Sequence, residues 1–550
     1  MNAALPLPGS GGSTGTSSRT AAAFAMLCLP YLALAAWLAA TGKLGSVVPF
    51  AASVLLIEGL LAIIARTWRR FFWLNAPFWL LTLVFAGYTL TYGDVPGELL
   101  AYVLATSSWE EVRGFFGIWQ GERLLLESAA LVALYLILAA RSPRTSIFSR
   151  SVPARRFGLP AAIVVLCAVA ALNPAALRGG LTANPLIGSV LFASGPLHTA
   201  SSLVQGTSIP KVRYGADRVA TREVHILIIG ESARRDSWSV YGYSRPTTPN
   251  LDKLGSEAIF FRHAVADANV TICAVPILLT GMSPSRFDLK AVQGNLVGLA
   301  GEAGYFTAWL MNQDPHISLL TGIHADRMVY PPSLHTLVSG RLPLDQVLLP
   351  EVRDELEHGT RPQFVGLHVI GSHWAYDSRY PAQFKLFGSG APLTYLDAVS
   401  GRPDQRVVDA YDNSVAYTDW FLGQIIDAAR KLSVPATITY FSDHGEDLYL
   451  LDGRSGHGAA SYSKHQFDIP AFVWVNSAYR EAHPGKVQTM EQNAGKEIRS
   501  HNVFFSVADL MGIQWPGARP AESFASAAFV PDIETPLIAG AGGTRVTPGE

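Results

Sequence analysis

The run "EVHILIIGESARRDSWSVYGYSRPTTPNLD", residues 223–252, decides the fold of the larger part of this chain. It opens with Val, Ile and Leu broken only by His225, which reads as a strand buried on both faces, and it stops abruptly at Gly230, Glu231 and Ser232. A buried strand that ends in a carboxylate and a hydroxyl puts chemistry at the carboxyl edge of a sheet, where open α/β folds keep their active residues. The segment GESAR nearly matches the G-x-S-x-G nucleophile elbow of hydrolases. Its last position is Arg234, so Ser232 fails the pattern and is better placed to cap a helix beginning at ARRDSW, and Glu231 needs its own explanation.

Outward from this run, strand-like and helix-like segments alternate. Short apolar runs at 305–311 (YFTAWLM), 364–370 (FVGLHVI), 436–442 (ATITYFS) and 471–475 (AFVWV) join 224–229 as buried strands of a mostly parallel sheet. The segment 409–432, DAYDNSVAYTDWFLGQIIDAARKL, keeps Val415, Thr418, Phe421, Leu422, Ile425 and Ile426 on one helical face. This pattern predicts an α/β layered domain. A second strand end, SDHGED at 442–447, supplies Asp443 and His444. With Glu231 they offer two carboxylates and an imidazole, a donor set suited to zinc or manganese. Each has a plainer reading: Asp443 and His444 as a capped or ion-paired turn, Glu231 as a helix cap or the partner of Arg234 or Arg235.

With 550 residues and 49% hydrophobic content, the chain is too long for one ordinary core and too apolar to be soluble throughout. Segments 21–41, 46–65, 72–92, 124–140 and 157–173 approach the roughly 20 apolar residues that cross a bilayer, and predict five transmembrane helices, the first of them retained. RTWRR (66–70), and Arg141, Arg144, Arg150, Arg155 and Arg156, mark two loops as cytoplasmic. Lys43 alone in the first loop, and Asp94, Glu98, Glu110 and Glu111 against Arg113 in the third, mark those as external, so everything after the fifth helix lies outside. In the third loop, Trp109, Val112, Phe115, Phe116 and Trp119 recur at helical spacing and predict an amphipathic helix over 98–119. It either lies at the membrane surface, giving a lipid access to the site, or packs on the external domain. Of three cysteines only Cys273 is external, so the exported domain holds no internal disulfide and relies on its apolar core. A net charge of -1 gives no reason to expect nucleic acid.

These blocks resemble the membrane-anchored phosphoethanolamine transferases of Gram-negative bacteria, relatives of alkaline phosphatases and sulfatases. The resemblance rests on five spans followed by an external domain, GESAR…GYSRPTTPNL, VTICAVP (270–276), LHVIGSHWAYDSRYP (367–381), YDNSVAYTDWFL (411–422), FSDHGEDL (441–448) and SGHG (455–458), all in order. It implies a disordered N-terminus at 1–20 and a membrane domain over 21–173. A linker at 174–215, a sulfatase-like periplasmic domain over 216–530 and a flexible tail at 531–550 would follow. The cell location implied is the bacterial inner membrane.

The resemblance also implies the chemistry. The family's nucleophile is a threonine some 40 residues after the strand-end glutamate and five before a proline, which Thr271 and Pro276 match. Glu231, Thr271, Asp443 and His444 would bind one divalent cation, zinc first with manganese or magnesium as alternatives. His373 and His457 would hydrogen-bond the donor phosphate, protonate the leaving lipid or hold a second metal. The implied reaction takes phosphoethanolamine from phosphatidylethanolamine to lipid A or another envelope glycan through a phosphothreonine. A hydrolase of the same superfamily and a lipid- or glycan-binding protein without turnover are the competing readings. A formylglycine sulfatase needs C-x-P-x-R, and Cys273 is followed by AVPIL. Two departures stand out: Asp267 and Ile277 occupy positions where many members carry cysteines, and a basic residue is missing after WLMNQD (309–314), leaving Asn312 or Gln313 to bind the donor.

Overall fold

The structure, a computed structural model, describes residues 14–92, 121–147, 154–190, 212–217, 219 and 221–547, apart from 289–291, 293, 314–320, 331–342, 375, 389–403, 452–453, 459–461 and 541–542. The amphipathic helix predicted over 98–119 and the first part of the predicted N-terminal tail lie outside the described residues; residues 14–20 are helical. The chain divides into two compact units, Met1–Tyr102 with Gly121–Thr199, and Val103–Gln120 with Ala200–Glu550.

The first unit is helical: α1 (Thr14–Ala40), α2 (Leu44–Ala65), α3 (Trp68–Tyr92), α4 (Gly121–Arg141), α5 (Ala154–Leu172) and α6 (Pro174–Ala183). Helices α1–α5 coincide with the five predicted membrane segments. Three of them, over Ser18–Ala40, Leu44–Ala65 and Trp68–Gly87, are long and apolar enough to cross a membrane. Ala129–Arg141 within α4 and Pro160–Leu172 within α5 are shorter apolar stretches. Several polar groups inside the bundle find partners, which a dry surrounding favours. Trp79 stacks on Tyr135 at 4.5 Å and donates from Nε1 to the Met26 carbonyl, while the Tyr135 hydroxyl donates to the carbonyl of Phe72. Leu29, Leu32, Leu55 and Ile64 are exposed, as side chains facing lipid are. Helix α6, at the start of the predicted linker, packs against α2. A Cβ on Gly180 would come within 2.6 Å of the Ser46 carbonyl, so only glycine permits that approach.

The second unit is built on a sheet of seven strands. Its strands are β1 (Val224–Gly230), β2 (Ala258–Phe260), β3 (His263–Val265), β4 (Phe306–Met311), β5 (Arg327–Val329), β6 (Gln363–His368), β7 (Ala436–Ser442), β8 (Asp447–Leu451), β9 (Arg454–Gly456), β10 (Asp468–Ile469), β11 (Ala471–Val475), β12 (Glu497–Arg499), β13 (Leu537–Ala539) and β14 (Thr544–Val546). The large sheet runs β2-β11-β7-β1-β6-β4-β5, parallel from β7 to β5, with β11 antiparallel to both β7 and β2. All five predicted strands are present. The edge strands β2 and β5 have only three residues each, too short to leave a pattern.

Side chains alternate across β1. Leu227 and Ile229 enter a core with α7 (Thr271–Thr280), α8 (Leu296–Glu302) and the helix Asn502–Leu510. Val224, Ile226 and Ile228 enter a second core on the other face, with α9 (Leu349–His358) and α10 (Gln405–Ala429). In α10 the predicted stripe Val415, Thr418, Phe421, Leu422, Ile425 and Ile426 is buried throughout. Cores on both faces explain why β1 reads as an apolar run broken only by His225.

The segment after 530 is not a free tail. β13 and β14 pair antiparallel, and Ile538 donates its amide to the Asp267 carbonyl at 2.8 Å and accepts from the Asn269 amide at 3.1 Å. The backbone of Leu537–Ala539 is thus tied to the loop before Thr271. Its Gly-rich flank hid this pairing in the sequence.

Candidate active site

Every candidate site residue lies beyond the carboxyl end of a strand or at a helix start beside one. Register sets the level: Gly230 of β1 pairs with Ser442 of β7, and Ile229 pairs with His368 of β6, so Glu231, Asp443 and the 369–373 loop leave the sheet side by side. Gly230 is required here, because a Cβ would overlap the Tyr440 phenol. Ser232 then adopts φ +53°, a left-handed conformation that turns the chain sharply.

The turn commits its own amides. Ser232 N donates to Asp443 Oδ1 at 3.1 Å, Ala233 N to Ser442 Oγ at 3.0 Å and Arg234 N to the Tyr411 hydroxyl at 2.8 Å. They are spent on the protein and do not form an oxyanion cradle behind Ser232. The Ser232 hydroxyl donates to Glu231 Oε1 at 2.8 Å. It does not cap the 3-10 turn Arg235–Ser237 that follows, contrary to the cap expected where ARRDSW begins. Arg234 and Arg235 pair elsewhere: Arg234 meets His465, and Arg235 meets Asp236 and Asp468.

Thr271, the first residue of α7, completes a tight cluster. Its Oγ1 lies 3.4 and 3.3 Å from the two oxygens of Glu231 and 3.2 Å from Nε2 of His444. That nitrogen is 3.4 Å from Glu231 Oε1 and 3.4 Å from Asp443 Oδ2. His444 donates its Nδ1–H to the Gly445 carbonyl at 2.8 Å, which leaves Nε2 as a lone pair aimed into the cluster. Glu231, Asp443 and His444 are fully buried. Burial and the neighbouring Asp443 carboxylate push the Glu231 carboxyl up, burial raises Asp443, and burial with the charge of His457 lowers His444. Asp443 Oδ2 receives no hydrogen bond. Two buried carboxylates, one of them with an orphaned oxygen, beside an imidazole lone pair are unfavourable together unless a cation joins them.

Glu231, Asp443 and His444 thus bring ligand atoms within 4.8 Å of one another, which fits a divalent cation, and Thr271 adds a fourth oxygen. Glu231, His373 and His457 form a second such group. His373 donates Nδ1–H to the Trp374 carbonyl at 2.8 Å, and the Nδ1 of His457 meets Glu446 Oε2 at 3.1 Å, so both present Nε2. Burial, Arg379 and His457 lower the pKa of His373. Burial opposes charge on His457 too, but Glu446 outweighs it and the pKa is raised.

Of the two residues considered for the donor, Gln313 reaches the cluster: its Nε2 donates to Glu231 Oε2 and to the Val369 carbonyl, both at 3.0 Å. Asn312 is fully buried and turned away. Its Nδ2 donates to the Pro343 carbonyl at 2.6 Å and to Asp345 Oδ1 at 2.8 Å. Asp345 also accepts the amides of Ile370 and Gly371, so Asn312 supports the loop leading to His373. Glu446, the partner of His457, was not singled out from sequence, although it is one of two further acids in SDHGED. Cys273 is fully buried and its thiol is pushed up to about 12 by burial, so it is no nucleophile.

Known proteins share this architecture. Phosphoethanolamine transferase EptA of Helicobacter pylori is 30% identical over 268 residues, 47% of this chain and 49% of that protein. The chain spans about half the length of the curated relatives it matches first. The soluble domain of lipooligosaccharide phosphoethanolamine transferase A from Neisseria meningitidis superposes with a TM-score of 0.51 at 26% identity, covering 58% of this chain and 97% of that one. The integral membrane form of that Neisseria meningitidis protein shares the fold over 94% of this chain and 99% of its own, with a TM-score of 0.65 at 21% identity. Residues 224–513, more than half of the chain, match the sulfatase family model, and the protein belongs to that family.

Proposed function

We propose that this protein is a phosphoethanolamine transferase of the bacterial inner membrane, held there by α1–α5 with its α/β unit in the periplasm. It moves phosphoethanolamine from phosphatidylethanolamine to lipid A or another envelope glycan. The observation that carries this reading is the hydroxyl of Thr271, 3.2 Å from a histidine lone pair and 3.3 Å from a buried carboxylate, in a chain that also has helices long and apolar enough to cross a membrane. The names of its relatives support the head group. Glu231, Thr271, Asp443 and His444 would hold one cation, zinc by preference for this mixed oxygen and nitrogen set. When bound, it favours the threonine alkoxide and withdraws charge from the phosphoryl oxygens.

The residues divide the remaining work. Thr271 Oγ1, its proton already released to solvent and not regained during the cycle, attacks phosphorus at the start of α7, where the helix dipole favours an anion. The bond to the diacylglycerol oxygen breaks, and His457 Nε2, its ring held by Glu446, gives that oxygen a proton. His373 Nε2 and Gln313 lie on the phosphate side. The acceptor oxygen then displaces Thr271 and returns its proton to His457. Mass spectrometry of envelope lipids and glycans with and without the protein tests this: one species should gain one phosphoethanolamine. Release of free phosphoethanolamine with no modified acceptor would point to a hydrolase instead.

A further inference from the structure

Thr271 follows one loop as the first residue of α7, and His444 and His457 sit on two others, so their spacing is not set by the chain between them. We infer that Gln466 is a positioning residue that fixes these three side chains relative to one another by bonding all three loops, an inference that rests on the transferase reading above. Gln466 ends the short turn Lys464–Gln466 between β9 and β10 and is 5% exposed. Its Oε1 accepts from Asn269 Nδ2 at 2.7 Å, two residues before Thr271. Its Nε2 donates to the carbonyl of Gly456 at 3.0 Å, next to His457. Its own carbonyl accepts the amide of Gly445 at 2.8 Å, next to His444.

The chemistry of the bridge calls for an amide. One end must accept from Asn269 and the other must donate to a carbonyl, so a carboxylate would set a lone pair against Gly456 and an apolar side chain would lose both bonds. Asn269 is itself anchored, accepting the Gly540 amide on its Oδ1 at 2.8 Å. A continuous line of bonds therefore runs from the β13–β14 hairpin through Asn269 and Gln466 to the loops of His444 and His457. Displacing a reacting group by about 1 Å costs on the order of 100-fold in rate, so loss of this bridge should appear in turnover before it appears in binding.

The test compares Gln466→Met, Asn269→Ala and the double variant of the full-length protein in detergent, with a fluorescent phosphatidylethanolamine analogue and lipid A. Each single change should lower kcat by tenfold or more, leave KM for the donor within about twofold and keep full metal content. The double variant should lose less than the product of the two single losses, because the bond between Asn269 and Gln466 counts in both. A second readout needs no turnover: the visible band of the cobalt-loaded variants should shift in the same direction as in Thr271→Ala. If Gln466→Met does not fold, Gln466→Glu, which keeps the bond to Asn269 and loses that to Gly456, takes its place. A kcat within twofold of the unmodified protein, losses that multiply in the double variant, or an unshifted cobalt band would overturn the inference. A lack of turnover in the unmodified protein would instead refute the transferase reading, leaving the cobalt band to decide on Gln466.

Discussion

Oγ1 of Thr271 lies 3.2 Å from Nε2 of His444, a histidine whose Nδ1–H is already spent on the Gly445 carbonyl. The hydroxyl and the lone pair therefore face a common point, and the two carboxylates of Glu231 and Asp443 border it.

Replacing Asp443 and His444 together by alanine removes two of the four proposed ligands. Elemental analysis should find the bound cation reduced to background, with turnover lost. The apolar cores on both faces of the sheet do not involve these side chains, so the melting temperature should move far less than activity does. Full metal content in the double variant would place the cation elsewhere.

Gly371 holds the strand-end glutamate in place. Its φ is +47°, and a Cβ there would sit 2.8 Å from the Glu231 carbonyl oxygen. Gly371→Ala should cost about 1–3 kcal/mol in strain and should weaken metal retention as well, because the clash falls on a ligand's own backbone. Equilibrium dialysis measures the second effect. Unchanged metal affinity would mean that the loop yields and Glu231 does not.

How much of this could be read from residues alone varied with chain distance. The five long strands, the α10 stripe, and Glu231, Asp443 and His444 were readable, because a period of two or 3.6 and a strand end are local features. The hydroxyl of Ser232 was misread as a cap, since its sharing with Glu231 depends on a left-handed turn that the sequence does not announce. Asn312 and Gln313 were indistinguishable as neighbours; leaving β4, they point to different partners. The links among Glu446, Gln466 and Asn269 join segments far apart in sequence, and only the fold brings them together.

Asp267, where the family resemblance led one to look for a cysteine, is a buried carboxylate that accepts from the amide and Nδ1 of His501, both at 2.8 Å, and pairs with Arg499 at 3.2 Å. Burial opposes its charge, yet His501 and Arg499 outweigh burial and hold Asp267 below its ordinary 3.8, while Asp267 lifts His501 above 6.5 against the effect of burial. The carboxylate's contribution is present above 3.8 and lost as pH falls below it. The histidine's contribution is complete below 6.5 and lost as pH rises through its raised value. Asp267→Ala should therefore destabilise most between these limits, by about 3–5 kcal/mol for a broken buried pair, and less at pH 9. Denaturant midpoints at pH 5 and 9 check this; an equal loss at both would exclude His501 as a charged partner.

Alkylation at pH 8 should leave activity intact. Cys273 is fully buried with a raised thiol pKa, which keeps it from the reagent. Inactivation that tracks modification of Cys273 would contradict the assignment of Thr271 as nucleophile.

Ser232 is the remaining rival, adjacent to Glu231 and fully buried. The account makes it a hydrogen-bond donor to a ligand, so Ser232→Ala should lower turnover mildly, whereas Thr271→Ala should reduce it to background with the cation retained by its other ligands. The most direct test supplies donor lipid, withholds acceptor, and maps the modified peptide by mass spectrometry. The account predicts a gain of one phosphoethanolamine on the peptide containing ANVTICAVP, at Thr271, and no gain in Thr271→Ala. The same mass on Ser232, or turnover that survives Thr271→Ala and is lost in Ser232→Ala, would contradict it.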